Sequence, residues 1–156
     1  MSRGWALLAC GLLAAVPAAA APPPAGDDEI RVSVVAVLAT TQNDKVDSRL
    51  ECIAREVKKA EPTLTGFAVG KISCSEVEVG DRQDFRLVDD QTIGITVESR
   101  CDKDGRVRLK VTPPTVGEIT YTTSCGKFFP IVTRYRTKKG DLLIVAIRVQ
   151  PCPEEK

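Results

Sequence analysis

The chain contains no histidine. This absence removes the Ser-His and Cys-His nucleophile pairs, the commonest general base, and every zinc site that needs an imidazole ligand. The cysteines do not supply an all-thiolate zinc site either, because no two of them stand in a C-x-x-C pair. We therefore predict no catalytic residue, no metal and no cofactor, and we expect that the protein is not an enzyme.

Aromatic residues are also scarce, at 4% of the chain. Proteins that bind single-stranded nucleic acid usually expose several aromatic rings for base stacking, which this composition does not favour. A strong charge of one sign is missing as well, since 22 basic residues face 21 acidic ones. Loss of Arg3 with an N-terminal leader would leave 21 of each, so we expect no nucleic-acid partner.

The chain has one uninterrupted apolar segment near its start, and that segment is short. Arg3 precedes the apolar run 5–16, and alanines at 18–20 form a small-residue cleavage site, so residues 1–20 are predicted to be a signal peptide. A signal anchor is the competing interpretation, but the run is shorter than the ~20 residues of a membrane span. A lipoprotein cleavage before Cys10 is a further alternative. The mature chain is therefore predicted to be secreted or periplasmic, with no transmembrane span.

Residues 21–28 contain three consecutive prolines and are predicted to be an extended linker. Removal of 20 residues from 156 leaves 136, which is enough for a single domain, so residues 29–156 are predicted to form one disulfide-stabilised, β-rich domain.

Hydrophobic periodicity predicts one helix and about eight strands in this domain. The first strand, 29–39, is apolar on both faces at its end, which is typical of a strand buried on both sides. Apolar residues at helical spacing then follow from Val46 to Val57, and Pro62 stops the helix. Further strands are expected at 67–79, 84–88, 92–99, 106–112, 118–124, 128–137 and 141–150.

Several of these strands alternate between apolar and polar residues and are separated by short turns, which is typical of an antiparallel meander. The fold class is therefore α+β, mostly β, with one N-terminal helix packed on the sheet. The pattern does not separate a sandwich from a partly closed barrel.

Five cysteines remain after the leader, and in an exported chain they are expected to form disulfides. A final hairpin that turns at Lys138 and Lys139 pairs residues whose numbers add up to 277, with a shift of one if Gly140 forms a bulge. That register predicts a Cys125–Cys152 disulfide, and it makes Cys125-Gly126 a turn between strands.

The other three cysteines leave alternatives open. Cys52 lies off the apolar stripe of the helix, so a partner on a nearby strand is expected. The predicted strand register places Cys101 opposite residue 78, so Cys74 lies about four residues away along the strand and is out of bridging range. Cys52–Cys74 and Cys52–Cys101 therefore remain as alternatives, the first slightly favoured.

Acidic residues that could suggest catalysis lie in links between strands. Asp89 and Asp90 stand in a four-residue link, where turn chemistry accounts for them. Residues 102–105 are interpreted as a turn too, because they lack the acidic ladder and closing glutamate of a calcium loop.

Two stretches resemble parts of the C-terminal β core of bacterial secretins. Residues 87–95, LVDDQTIGI, are similar to a secretin hairpin, and residues 138–151, KKGDLLIVAIRVQP, resemble the strand that ends the secretin core. Asp90 stands where a glycine is expected, Asp141 replaces a glutamate, and the lip segment is missing. The resemblance implies an envelope-associated docking or oligomer-forming β module, not a complete pore.

Basic residues gather late in the sequence, including Arg148, and this clustering is the one candidate binding feature. It is either a solvated hairpin face or an anionic docking patch. We expect a non-catalytic interaction or structural module of the cell envelope, whose partner is a protein or an anionic envelope component. The alternative is a hydrolase or redox protein that uses a thiol or carboxylate. The candidate binding residues are Lys127, Arg134, Arg136, Lys138 and Lys139.

Overall fold

The computed structural model describes residues 29–151. The predicted signal peptide, the predicted linker and Cys152 lie outside these residues. The described chain contains eight strands and one α-helix, as predicted, and a 3-10 turn that the sequence analysis did not predict precedes the helix. Their bounds are β1 Glu29–Thr40, η1 Ser48–Leu50, α1 Glu51–Ala60, β2 Gly66–Glu78, β3 Arg82–Arg86, β4 Thr92–Val97, β5 Arg106–Thr112, β6 Ile119–Ser124, β7 Phe129–Arg136 and β8 Leu142–Pro151.

The strands form two antiparallel sheets of four strands each. Sheet A has the order β2-β1-β8-β7, and sheet B has the order β3-β4-β5-β6. The chain passes from one sheet to the other between β2 and β3 and again between β6 and β7. The structure therefore consists of two sheets that do not close into a barrel, which settles the alternative that the sequence left open.

Strand β1 is buried on both faces because each face contacts a different apolar cluster. Its even-numbered residues from Ile30 to Ala36 face sheet B, while Val35, Val37 and Ala39 face α1. Strand β8 alternates in the same way, with Val145 and Ile147 inward and Ile144 and Ala146 under the helix. The molecule is thus built in three layers, α1 on sheet A and sheet A on sheet B, as the β-branched run at 29–39 predicts.

The helix follows a short 3-10 turn, η1, that Asp47 caps. The Asp47 carboxylate accepts a hydrogen bond from the Arg49 N–H at 3.0 Å and from the Arg49 side chain at 2.8 Å. This side-chain bond lowers the pKa of Asp47 to about 2. Leu50, Ile53 and Val57 then bury the apolar face of the helix against sheet A.

The last hairpin stays within one residue of the predicted register, but it does not keep one register throughout. Near β7's start Phe129 pairs with Ile147 and Val132 with Ile144, whereas Arg136 pairs with Leu142. The pairing shifts between Val132 and Arg136, so no single register runs through the hairpin. At 129–132 the numbers of paired residues add up to 276, which lies within one of the predicted 277, so the register alone does not decide the partner of Cys125.

Candidate functional site

The predicted Cys125–Cys152 disulfide is corrected by the structure, which joins Cys125 to Cys101. Cys125 follows β6, a strand of sheet B, and its N–H donates to the Gly105 carbonyl at 2.7 Å. Gly105 lies in the loop that follows Cys101, so the two cysteines flank the same turn with their Cα atoms 6.6 Å apart. The β4–β5 and β5–β6 hairpins place the two sulfur atoms together. The prediction used the register of the β7–β8 hairpin to find a partner for Cys125, and it therefore missed Cys101.

Cys52 and Cys74 are free and exposed, so neither Cys52–Cys74 nor Cys52–Cys101 forms. Cys52 lies in the exposed first turn of α1, and Cys74 lies on the edge strand β2. The Cys74 thiol donates to the Ser33 hydroxyl at 3.3 Å across the β1–β2 pair. The Cys125-Gly126 turn is confirmed, since Gly126 has a φ of 84° and its N–H donates to the Val149 carbonyl.

Asp89 and Asp90 form a tight turn, as predicted. Both have positive φ, 51° and 59°, and Gln91 N–H donates to the Val88 carbonyl at 3.0 Å, which is the geometry of a two-residue hairpin loop. The Asp89 carboxylate also accepts hydrogen bonds from the Tyr135 hydroxyl at 3.3 Å and from the Lys138 N–H at 3.1 Å. Asp89 therefore connects the β3–β4 turn to the end of the last hairpin.

Four of the five candidate binding residues lie together on one edge of sheet A. Strand β7 is the outer strand of that sheet, and the β7–β8 turn continues from it. All four side chains are exposed. We call this surface the basic edge, and it consists of Arg134, Arg136, Lys138 and Lys139.

Lys127 does not belong to this group. It lies before β7 at the opposite end of the strand, seven residues from Arg134, which corresponds to roughly 23 Å of extended chain. The five candidate binding residues therefore lie in two places: four form the basic edge, and Lys127 lies at the opposite end of β7.

The four cationic groups of the basic edge form no ion pair among residues 29–151, although the Asp89 carboxylate lies at its end and accepts a hydrogen bond from the Lys138 N–H. The Arg136 guanidinium donates only to the Gly140 carbonyl, at 3.1 Å. The outer face of sheet B is different, because Glu98 pairs with Arg108 at 2.9 Å and lies 3.7 Å from Lys110. The cations of the basic edge are thus available to an external anion, whereas those on sheet B are paired with Glu98.

A feature that sequence reasoning missed lies on the outer face of sheet A, beyond α1. Arg148 lies opposite Ser33, and its guanidinium carbon is 4.6 Å from the centre of the Phe128 ring. Its Nε is buried without a hydrogen-bond partner among the described residues. The sequence groups Arg148 with the other late basic residues, but only strand pairing shows that it belongs to a different surface.

The described part of the chain offers no grouping of three metal-binding side chains, and it has no helix that is long and apolar enough to cross a membrane. No family model, curated protein or solved structure matches this chain.

Proposed function

We propose that the protein is an exported, non-catalytic interaction module of the cell envelope and that it binds an anionic envelope component through the basic edge. The observation that carries this proposal is the cluster of four exposed cations without ion-pair partners in residues 29–151. A surface of this kind attracts anionic lipid headgroups at ~1 kcal/mol for each basic residue.

Export is supported by the Cys101–Cys125 disulfide, because structural disulfides persist in oxidising compartments. The leader-like segment at residues 1–20 and the secretin resemblance point to the same compartment. A non-catalytic role is supported by the use of the reactive residues: Cys125 is in a disulfide, and Asp89 holds a turn and the adjacent hairpin together.

Co-sedimentation with lipid vesicles tests the proposal. The protein should sediment with phosphatidylglycerol-containing vesicles and not with pure phosphatidylcholine vesicles, and added salt should weaken binding because it screens exposed charges. Lys138→Gln with Lys139→Gln should reduce the affinity about thirty-fold, the equivalent of ~2 kcal/mol. Glutamine is preferred to glutamate because the Lys138 backbone contacts the Asp89 carboxylate.

The matched control is Lys45→Gln with Lys103→Gln. These two lysines are exposed loop residues, and their substitution removes the same total charge from other parts of the surface. Equal loss of binding in both double variants would mean that binding depends only on the net charge of the protein, which would contradict the proposal.

The alternative, thiol chemistry, has a test of its own. Cys52 and Cys74 are both exposed, so both should react with a disulfide reagent at the rate of a small-molecule thiol. A thiol that reacts much faster at neutral pH would indicate an activated nucleophile and would favour the enzyme alternative over the interaction module.

A further inference from the structure

Strand β2 has a long unpaired edge. It is an outermost strand of sheet A, it has 13 residues, and β1 pairs with only one of its two sides. Near the start of β2, Phe67 exchanges backbone hydrogen bonds with Lys45 and Asp47 at 2.8 and 3.0 Å, so this part is covered. Farther along, no other backbone segment among residues 29–151 bonds to the outer side of residues 71–77. We call residues 71–77 the open edge.

The other three edge strands are protected against pairing with a further strand. Strands β3 and β6 are short, with five and six residues. Strand β7 contains Pro130, and its Arg134 N–H donates to the Thr115 hydroxyl at 3.0 Å. Just beyond β7, the Lys138 N–H donates to the Asp89 carboxylate at 3.1 Å. Proteins cover strand edges in such ways because an uncovered edge pairs with another strand. The open edge of β2 has no proline, and no loop side chain within the described residues bonds to its backbone.

The open edge is regular and has exposed apolar side chains on one face. The pairing of β2 with β1 skips Gly70, so the ladder is continuous from Lys71 onward. Ile72 and Cys74 are alternate residues on the outer face of sheet A. Ile72 is 50% exposed, and it is the exposed large hydrophobic residue of the described chain; Cys74 is exposed as well. The unpaired backbone groups require an extended strand as their partner.

The side chains of the open edge are compatible with a second copy of the same edge. Two antiparallel copies are related by a two-fold axis perpendicular to the sheet, so one residue lies opposite its own copy. With Cys74 at the axis, Ile72 lies opposite the partner's Glu76, and Lys71 lies opposite the partner's Val77. No like charges are then opposite each other. Ile72 and the partner's Cys74 become diagonal neighbours, so the apolar side chains of both copies form one patch across the axis.

The two neighbouring registers are less favourable. An axis at Ser75 makes the Glu76 side chains of the two copies diagonal neighbours, which brings like charges together. An axis at Ser73 places the Gly70 bulge opposite the partner's Glu76, where the strand is not regular. The register with Cys74 at the axis therefore avoids both the charge repulsion and the bulge.

We propose that the protein forms a symmetric dimer in which the open edges of two copies pair in antiparallel fashion with Cys74 at the two-fold axis. The two four-stranded sheets A then form one continuous sheet of eight strands. Because β2 and β7 lie at opposite edges of sheet A, the dimer carries a basic edge at each end of this sheet. One strand from each copy makes the contact, which is typical of a weak association.

Sedimentation equilibrium at protein concentrations up to ~1 mM tests the proposal, since weak dimers form only at high concentration. The matched variants are Ile72→Glu and Ile72→Lys, which place opposite charges across from the partner's Glu76, twice in each dimer. We expect Ile72→Lys to dimerise roughly tenfold more tightly than Ile72→Glu. Arg31 contacts Glu76 at 3.3 Å in both variants, so the comparison reports the sign of the charge at residue 72. Lys138→Gln with Lys139→Gln should leave the dimer unchanged. A monomeric parent protein over the whole concentration range, or equal dimerisation of the two Ile72 variants, would overturn the proposal.

Cys74 reports the register directly. Opposite Cα atoms of an antiparallel pair lie ~4.5–5.5 Å apart, which is within the range of a disulfide. Oxidised glutathione should therefore join the two Cys74 side chains: the two thiols give up two electrons and two protons, and the reagent leaves as two reduced glutathiones. Peptide mapping should find Cys74 joined to Cys74. Cys74→Ser should abolish the linked dimer, whereas Cys52→Ser, which removes the other exposed free thiol, should not. A dimer linked through Cys52 instead, or a protein that sediments as a dimer without a Cys74 link, would contradict this register.

Discussion

At the scale of single residues, Asp89 and Asp90 show how one turn combines two requirements. The backbone needs positive φ at both positions, 51° and 59°, which aspartate tolerates and glycine adopts freely. The Asp89 side chain has a further role, since it accepts hydrogen bonds from Tyr135 and Lys138. The two aspartates are therefore not equivalent, although they are neighbours in the sequence.

This difference makes a prediction for urea unfolding. Asp90→Gly should stabilise the protein by about 0.5–1 kcal/mol, because it removes the cost of a left-handed conformation and no side-chain contact. Asp89→Gly removes the same backbone cost together with two hydrogen bonds, so it should be neutral or destabilise by ~1 kcal/mol. Stabilisation by both substitutions would show that the Asp89 contacts contribute nothing.

The two tyrosines make a second prediction at this scale. Burial raises the pKa of Tyr121. The hydroxyl of Tyr121 lacks a hydrogen-bond partner among the described residues, and the centre of its ring lies 4.1 Å from the centre of the Phe129 ring. Desolvation first, and then the Asp89 charge, raises the pKa of Tyr135. Because both folded-state pKa values exceed the unfolded value near 10, the neutral forms stabilise the fold below pH ~10, and this contribution is lost as the pH rises further.

Tyrosinate absorbance at 295 nm measures this effect, since Tyr121 and Tyr135 are the only tyrosines of the sequence. The part of the absorbance that belongs to Tyr121 should rise only together with the loss of β-sheet circular dichroism, whereas Tyr135 should ionise in the folded protein at a pH above that of free tyrosine. Tyr135→Phe should remove half of the amplitude. Ionisation of both rings near pH 10 in a protein that keeps its native dichroism would contradict the burial of Tyr121.

At the scale of elements, the Cys101–Cys125 disulfide closes a loop with a sequence separation of 24. The chain-entropy account assigns such a crosslink a stabilisation of about 3 kcal/mol. Cys101→Ala with Cys125→Ala should therefore lower the free energy of unfolding by about that amount in denaturant titrations. Cys52→Ala with Cys74→Ala is the matched control, and as exposed free thiols these should matter far less. Similar losses in the two double variants would argue against this disulfide.

The irregular middle of β7 makes another prediction. The ladder to β8 is interrupted between Val132 and Arg136, and there the buried Thr133 hydroxyl donates to the Leu143 carbonyl at 2.6 Å and accepts from the Tyr135 N–H at 3.2 Å. Thr133→Val should cost about 1–2 kcal/mol in thermal or denaturant unfolding, because two backbone groups lose a partner. Thr133→Ser keeps the hydroxyl and should cost clearly less, and equal costs would mean that only the methyl group matters.

At the scale of the whole molecule, local patterns of the sequence predicted the elements but not all of their relations. The β-branched run at 29–39 predicted a strand buried on both faces, and alternation in β4 and β5 predicted their inward faces. These properties depend on residues close in sequence. The division into two sheets, the Cys101–Cys125 pair and the position of Arg148 opposite Ser33 depend on which strands become neighbours and in which register. The pairing of β7 with β8 shifts by two residues between Val132 and Arg136, which an argument from a uniform register does not foresee.

The candidate site also combines features that are local in sequence with features that depend on strand pairing. Charge clustering in the sequence found the basic edge, because Arg134 to Lys139 are close along the chain and therefore close in space. It also included Lys127, which the length of β7 places at the far end. The position of Arg148 could not be found this way, since Ser33 and Arg148 are distant in sequence and become neighbours only through the β1–β8 pairing.

The central claim is that the basic edge contacts an anionic partner. The most direct measurement is an amide spectrum of ¹⁵N-labelled protein with phosphatidylglycerol-containing lipid nanodiscs, compared with nanodiscs of phosphatidylcholine alone. We expect that line broadening with the anionic nanodiscs centres on residues 134–139 and disappears in the Lys138→Gln, Lys139→Gln variant. Broadening centred elsewhere, or the same broadening in that variant, would contradict it.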